Sequence, residues 1–384
     1  MLIKNGLVFR KNGSFEHLHI LVENGRIVNL ITGNPEDDYS GEVIDAKDCY
    51  VVPGLTDIHF HGCMGHDFCE GTEDAFEIIS AYEFSCGVTN LCPATMSLPV
   101  ESLEKIVAAF REYLKKRDNE EKNHNSDRKN LAEFVGIHLE GPFLNPEKCG
   151  AQKKTFIINP VGKILSDLQN LSGGLIRLVT IAPELEGAME IIKSLHGRIH
   201  FSIGHSLCDY ETAQKAFAEG ADHVTHIFNA MSSFSHRLPG IVGAAFDDPD
   251  CFVELICDGI HVAPSMVRAV FKLFGDDRVI LISDSMEAAG MPDGTYRLGG
   301  QTVSVHEKAA RLEDGTIAGS TSTLYDCLKN SIKMGIPLES ALKAVTINPC
   351  RSIGLDKEYG SIDIGMKNNL LLLSAKDLSL KKVI

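Results

Sequence analysis

From about residue 53 onward the apolar positions of this chain fall into two registers that take turns. Short hydrophobic runs rich in β-branched residues (88–92, 176–181, 199–203, 252–256 and 279–282) predict buried strands. Between them lie longer stretches whose apolar residues recur every three to four positions. Leu103, Ile106, Val107, Phe110 and Leu114 share one face of a helix predicted over 100–116, and 209–219, 264–274 and 339–345 read similarly. With 55–60, 134–139 and 223–226 added, strands and helices alternate through eight repeats, the pattern of an α/β (β/α)8 barrel. A doubly wound open sheet is the competing architecture.

The two ends have a different texture. Residues 1–52 are short β-type runs broken by Asn5-Gly6, Asn12-Gly13 and Asn24-Gly25, and 20–28 has the signature of a hairpin around Asn24-Gly25. Residues 361–364 and 370–374 return to β character. These segments are predicted to pair with the N-terminal strands, so that 1–52 plus 350–384 form a small β domain beside a catalytic barrel over 53–349. The charge-rich run 111–130 reads as a solvated helix end and loop without a function of its own.

A formal charge of −15 weighs against nucleic acid or an anionic membrane as partner. No run approaches the roughly 18 apolar residues of a membrane span, and the N-terminus lacks the apolar region of a secretion signal. The 11 cysteines are odd in number and form no Cys-x-x-Cys pair, which predicts reduced thiols and a cytoplasmic protein. Cys63 and Cys69 read as packing residues.

The chemistry starts at Pro53-Gly54-Leu55-Thr56-Asp57-Ile58-His59-Phe60-His61-Gly62. Strand alternation puts Asp57, His59 and His61 on one face, where two imidazoles can grip a divalent metal and Asp57 can steer a ring nitrogen. The other predicted strands end in polar residues too: the third in Glu140, the fifth in His205, the sixth in His226 and the eighth in Asp284. In a barrel these ends meet at one mouth. Four histidines with a glutamate and an aspartate suit zinc or iron with a position left open for water. His138 reads as a hydrogen-bonded strand histidine and stays outside the set. Asp284, at the last strand end, is the natural proton carrier.

The His-x-His after Pro-Gly, the runs HLEGPFLNPEKCGAQ, GHS, THIFNAM, LPGIVGAA, DGIHV, SDSMEAAGMPDG and DGTIAGS, and the strand-eight Asp resemble the amidohydrolase superfamily. Within it they are similar to the N-acetylglucosamine-6-phosphate deacetylase family, over about residues 1–375. The resemblance implies a (β/α)8 barrel with a small β-sandwich domain, and hydrolysis of an acetamide to D-glucosamine 6-phosphate and acetate in amino-sugar catabolism or cell-wall sugar recycling. It implies that Glu140, His205 and His226 are the principal metal ligands. His59 and His61, with Glu140 bridging and Asp284 nearby, match the second metal position of some members, so one or two zinc or iron ions per subunit are expected. Asp284 matches the catalytic acid/base. Asn229, Ala230, Arg237 and His261 match the positions holding the sugar phosphate, with Arg237 reaching in from a neighbouring subunit of a homodimer. Ala151, Gln152 and Ile317-Ala318-Gly319 match substrate-contact positions. Two departures stand out. Gln152 replaces a histidine of some relatives, and the chain stops at Lys382-Val383-Ile384, which leaves open whether the small domain has its last strand.

Hydrolysis of the galactosamine epimer stays open as an alternative, because it differs at one hydroxyl. A cyclic-amide hydrolase is disfavoured, since the enzymes of that kind resemble one another in bridging their metals with a carboxylated lysine, the role Glu140 fills here. A non-catalytic barrel would be expected to have lost ligands or the acid/base, and all six polar groups are present.

Overall fold

The hairpin at Asn24-Gly25 forms as its sequence demands. Strand Phe15–Glu23 pairs antiparallel with Arg26–Ile31, and the two turn residues take φ of 48° and 74°. The computed structural model describes residues 1–33, 39–122 and 130–384, so 123–129 of the charge-rich run lie outside the described residues. Asn5-Gly6 does not turn the chain. It is a bulge inside strand Leu2–Phe9, where the register with Phe15–Glu23 shifts and a Cβ on Gly6 would meet Val51 Cγ2 at 2.4 Å.

Both chain ends contribute to one seven-stranded sheet, in the order Leu380–Val383, Leu370–Ser374, Cys49–Pro53, Leu2–Phe9, Phe15–Glu23 and Arg26–Ile31, with Val43–Asp45 also pairing on Leu2–Phe9. Its inner face covers a core of its own, including Ile3, Val8, Ile20, Ile27 and Leu370. Segment 361–364, expected as a strand, is a loop. A turn from Met366 N–H to Asp363 O takes up its backbone groups, while Ile362 still fills the core. Leu380–Val383 is an edge strand of the sheet.

Eight parallel strand positions follow in chain order: Leu55–Asp57, Val88–Leu91, Ile137–Glu140, Ile176–Ile181, His200–Ile203, His223–Val224, Phe252–Ile256 and Val279–Ile282. Glu133–Phe134 pairs with the second, and an isolated bridge from Ala94 to His138 links the second to the third. Past the eighth strand the curled sheet meets the first again. Asp284 N–H donates to His59 O at 3.0 Å and His61 N–H to Ser285 O at 2.7 Å. The helices pack outside. Val100–Lys122 buries Leu103, Val107 and Phe110, and Phe110 meets Phe68, Phe76 and Phe134 edge-on.

One element has no counterpart in the predicted pattern. After the eighth strand, Gly294–Leu298, Gln301–His306 and Ala309–Arg311 form an antiparallel three-stranded flap at the barrel mouth. Leu298, Val303 and Ala310 pack against Met96 and Met286, and Gln301 Nε2 donates to Ala151 O at 2.6 Å. Among the described residues no helix is long and apolar enough to cross a membrane.

Helix Glu73–Ser85 buries Glu83 completely, with neither carboxylate oxygen hydrogen-bonded. Burial first, and the nearby Asp57 carboxylate second, push its acid up to about 8. An acid raised above its unfolded value costs stability as pH climbs from the unfolded value, 4.5, through about 8, and costs nothing below that window. Glu83→Met is therefore expected to raise Tm slightly at pH 5 and clearly at pH 8.5, the stability regained at the higher pH having an upper bound of roughly 4–5 kcal/mol at 1.36 kcal/mol per pKa unit. Equal Tm gains at both values would contradict an ionisable, unpartnered Glu83.

Candidate metal centre and active-site cavity

The backbone carries the polar residues into the mouth at a cost. His205, His226 and Asp284, each just beyond a strand end, have φ of 48°, 29° and 47°, a region that non-glycine residues enter at about 1–3 kcal/mol each. His59 and His61 follow Leu55–Asp57 after regular pairing has ended, and are held by the seam hydrogen bonds to Asp284 and Ser285.

These residues converge on Glu140. Its Oε1 lies 3.0 Å from His205 Nε2, 3.2 Å from His226 Nε2 and 3.4 Å from His59 Nε2, and the Nε2 atoms of His205 and His226 are 3.1 Å apart. On the other side His61 Nε2 lies 3.4 Å from Glu140 Oε2 and 3.3 Å from Asp284 Oδ1. All six side chains are buried.

The donor set can be tested for a cation. His205 Nδ1 is 2.8 Å from the Lys148 carbonyl, which can only accept, so Nδ1 carries a proton and Nε2 is the ring atom turned toward Glu140 and His226. His59 Nε2 is buried without a hydrogen-bond partner, facing the same carboxylate. Ring nitrogens and a carboxylate oxygen gathered this closely repel one another unless a positive charge lies among them. Two triads, Glu140/His205/His226 and His59/His61/Glu140, are close enough to bind one. The residues fit a divalent metal. The carboxylates are ready for it. Burial alone would raise Glu140, but the facing histidines, His59 foremost, hold it well below the usual range. Asp284 is likewise lowered against its burial, chiefly by His61.

Asp57 does not steer a ring nitrogen, as its place in the alternation suggested. Its Oδ1 accepts the His59 backbone N–H at 3.2 Å, and burial raises its acid to about 7. The group bonded to His59 Nδ1 is Glu254, at 2.8 Å, from the seventh strand. His138 sends Nδ1–H to Ile58 O at 3.1 Å and accepts from Thr180 at 2.7 Å; burial, then the His59 charge, depress it to about 3.

Over the donors opens a cavity of about 240 Å³. His61, Glu140, Ala151, Gln152, His205, His226, Asn229, Ala230, His261, Asp284, Ile317 and Gly319 line it. Gln152 is spoken for at both ends. Its Oε1 accepts from Ser97 N–H at 2.6 Å, and its Nε2 donates to Glu140 Oε2 at 2.7 Å. His261 Nδ1 is 2.7 Å from Asp258 Oδ2, and this partner keeps the imidazole raised despite burial. Two expected contacts lie elsewhere. Ala318 packs under the flap, and Arg237 lines a separate groove with Leu207 and Leu238. Met96, Leu298 and Thr316 also line the cavity and were not anticipated. Leu298 came with the flap, which Gly299-Gly300 and the alternation of Gln301–His306 could have announced.

The sequence from 50 to 384 matches the amidohydrolase family. The chain belongs to that family. It is 32% identical over 377 residues to the N-acetylglucosamine-6-phosphate deacetylase of Bacillus subtilis (strain 168), covering 98% of this chain and 93% of that protein. It is 30% identical over 327 residues to the N-acetylgalactosamine-6-phosphate deacetylase of Escherichia coli O157:H7, covering 85% and 84%. The crystal structure of N-acetyl-D-glucosamine-6-phosphate deacetylase from Mycobacterium smegmatis superposes with a TM-score of 0.89 at 30% identity, covering 100% of this chain and 98% of that one. Amidohydrolases are metal-dependent, in keeping with this donor set.

Because Glu140 belongs to both triads of this amidohydrolase, Glu140→Ala is expected to lose its metal. Chelation should lower the Tm of the unaltered chain and added Zn²⁺ should restore it, while the variant shows neither response. Stoichiometric metal in the variant after gel filtration, by elemental analysis, would count against the centre.

Proposed function

We propose that this amidohydrolase cleaves the acetamide of N-acetyl-D-glucosamine 6-phosphate, giving D-glucosamine 6-phosphate and acetate. The observation that carries this reading is one cavity with the metal donors and Asp284 in its lining, together with His261, a histidine held toward its cationic form. That is a site for a substrate with a hydrolysable group at one end and an anion at the other. The relatives named above act on such sugars.

Glu140, His205 and His226 would hold a zinc or iron ion, and His59 and His61 with Glu140 a second. Such an ion lowers the pKa of water from about 15.7 toward 7 and polarises a carbonyl. The protein's residues supply the rest. Asp284, kept as a carboxylate beside His61, takes the proton of the attacking water. It then returns that proton to the leaving nitrogen, which would otherwise depart as an amide anion. His261 forms a charge-assisted bond to the phosphate, with Asn229 and Ala230 beside it in the lining. Anchoring that end orients the acetamide at the other. Arg237 belongs to the same grip in a homodimer. Supporting this are its place in a separate groove and its neighbour Leu238, 74% exposed, an apolar side chain that a second subunit would cover. Eleven free cysteines, seven of them buried, suit a cytoplasmic setting.

The deciding measurement is acetate release by metal-replete protein from N-acetylglucosamine 6-phosphate, its galactosamine epimer and the unphosphorylated sugar. Turnover of the first is expected, with Asp284→Asn slower by two to four orders of magnitude, as for lost general acid–base catalysis. Turnover of the epimer alone would transfer the reading to it, and no turnover of any would end it. Arg237→Ala is expected to raise KM for the phosphorylated sugar at least tenfold and leave the unphosphorylated sugar unaffected. An equal loss on both would remove Arg237 from the phosphate.

A further inference from the structure

Glu254 sits at the centre of the seventh barrel strand, inside the barrel and wholly buried. It lines neither the cavity nor either ligand triad. Its Oε2 is 2.8 Å from His59 Nδ1 and accepts the backbone N–H of His226 at 3.3 Å, while Oε1 has no partner. A buried carboxylate with one free oxygen is costly, and a packed apolar residue or a glutamine would carry no such charge. We propose that Glu254 is the positioning residue that makes His59 a metal ligand. It accepts the hydrogen bond from Nδ1–H and so leaves Nε2, facing Glu140, as the ring atom that can bind a metal. This rests on reading the site as a metal centre, and it assigns the second ion to His59, His61 and Glu140.

The geometry supports this role over two others. One alternative makes Glu254 a ligand in its own right, because His59, His138 and Glu254 also lie close together. But His138 has both nitrogens engaged, with Ile58 O and Thr180 Oγ1, and has no lone pair to give. Nor is Glu254 needed to place the His59 main chain, since the Asp57 carboxylate and the Asp284 N–H already hold it. What remains for Glu254 is the ring. His138 packs edge-on against it at 4.4 Å, so Glu254 sets the proton and His138 the plane. The same Oε2 holds the His226 backbone, which ties a ligand of the first triad to a ligand of the second through one oxygen. Outer partners of metal-bound histidines typically matter tenfold to a hundredfold in affinity.

The test is Zn²⁺ binding by equilibrium dialysis with elemental analysis, on the full chain and on Glu254→Leu and Glu254→Gln. The unaltered chain should bind two ions. Glu254→Leu should keep one ion with unchanged affinity and bind the second ten to a hundred times more weakly. Glu254→Gln, whose amide oxygen can still accept from Nδ1, should recover most of that loss. Unchanged binding of both ions by Glu254→Leu would overturn the proposal, as would a glutamine variant no better than leucine. A single ion in the unaltered chain, with acetate release intact, would overturn it and leave the proposed function standing. No ion at all would end both. Should Glu254→Leu fail to fold, ¹⁵N-histidine spectra of the Zn²⁺-loaded chain decide the matter. The signal missing in His59→Gln should be protonated at Nδ1, and protonation at Nε2 would refute the assignment.

Discussion

One buried carboxylate governs this molecule. Glu140 faces three imidazole nitrogens on one oxygen and a fourth on the other. Such a collection is unstable as a set of neutral lone pairs beside an anion, and becomes favourable once cations bind. The protein must therefore keep the cluster together against its own repulsion. The means are visible in the backbone: strained left-handed residues at three strand ends, and main-chain bonds across the seam between the first and eighth strands. The barrel supplies the stiffness, because every ligand hangs from a strand whose other face is packed against helices.

The interior beneath the site follows from the same constraint. Where a barrel is usually filled by branched apolar side chains, this one places His138, Thr180, Ser202, Thr225 and Glu254 on inward positions, all fully buried. Thr180 bonds His138 at 2.7 Å and Thr225 at 2.8 Å, and Thr225 bonds Ser202 at 2.5 Å. The hydroxyls and His138 in this layer hold one another in single orientations, which an apolar layer under an imidazole cluster could not do. Glu83 is the contrast: a buried carboxylate with no partner, away from the ligands, where burial simply neutralises it.

Strand existence was legible in the hydrophobic runs because each barrel strand is short, buried and β-branched; Ile176–Ile181, Phe252–Ile256 and Val279–Ile282 lie where the pattern puts them. The convergence of His59, His61, Glu140, His205, His226 and Asp284 was legible because imidazoles and carboxylates at strand ends are rare without a purpose. What escaped has physical reasons. Asn5-Gly6 reads as a turn, but tertiary packing against Val51 makes it a bulge. The partner of His59 Nδ1 lies 195 residues away in sequence, and nothing local distinguishes Glu254 from a strand residue facing solvent. Asp57 was the natural guess because it is near in sequence, yet its position directs it to the main chain. Leu298 and Thr316 reach the cavity from a flap and loop whose placement depends on packing against Met96 and Met286.

A net charge of −15 is at odds with the anionic substrate proposed above until its distribution is considered. Long-range attraction is weak in any case, since salt screens charges beyond about 8–10 Å. What counts is the field inside the cavity, where low polarisability magnifies each group. There the buried carboxylates Glu140 and Asp284 face imidazoles, while Asp258 holds His261 toward its cationic form despite burial. On the proposed function, recognition of the anion falls to the few groups enclosed in the cavity and not to the acidic surface. This division also explains why His261 needs its aspartate. An unsupported imidazole buried this deeply would be neutral at physiological pH, and a neutral ring offers a phosphate one ordinary hydrogen bond in place of a charge-assisted one.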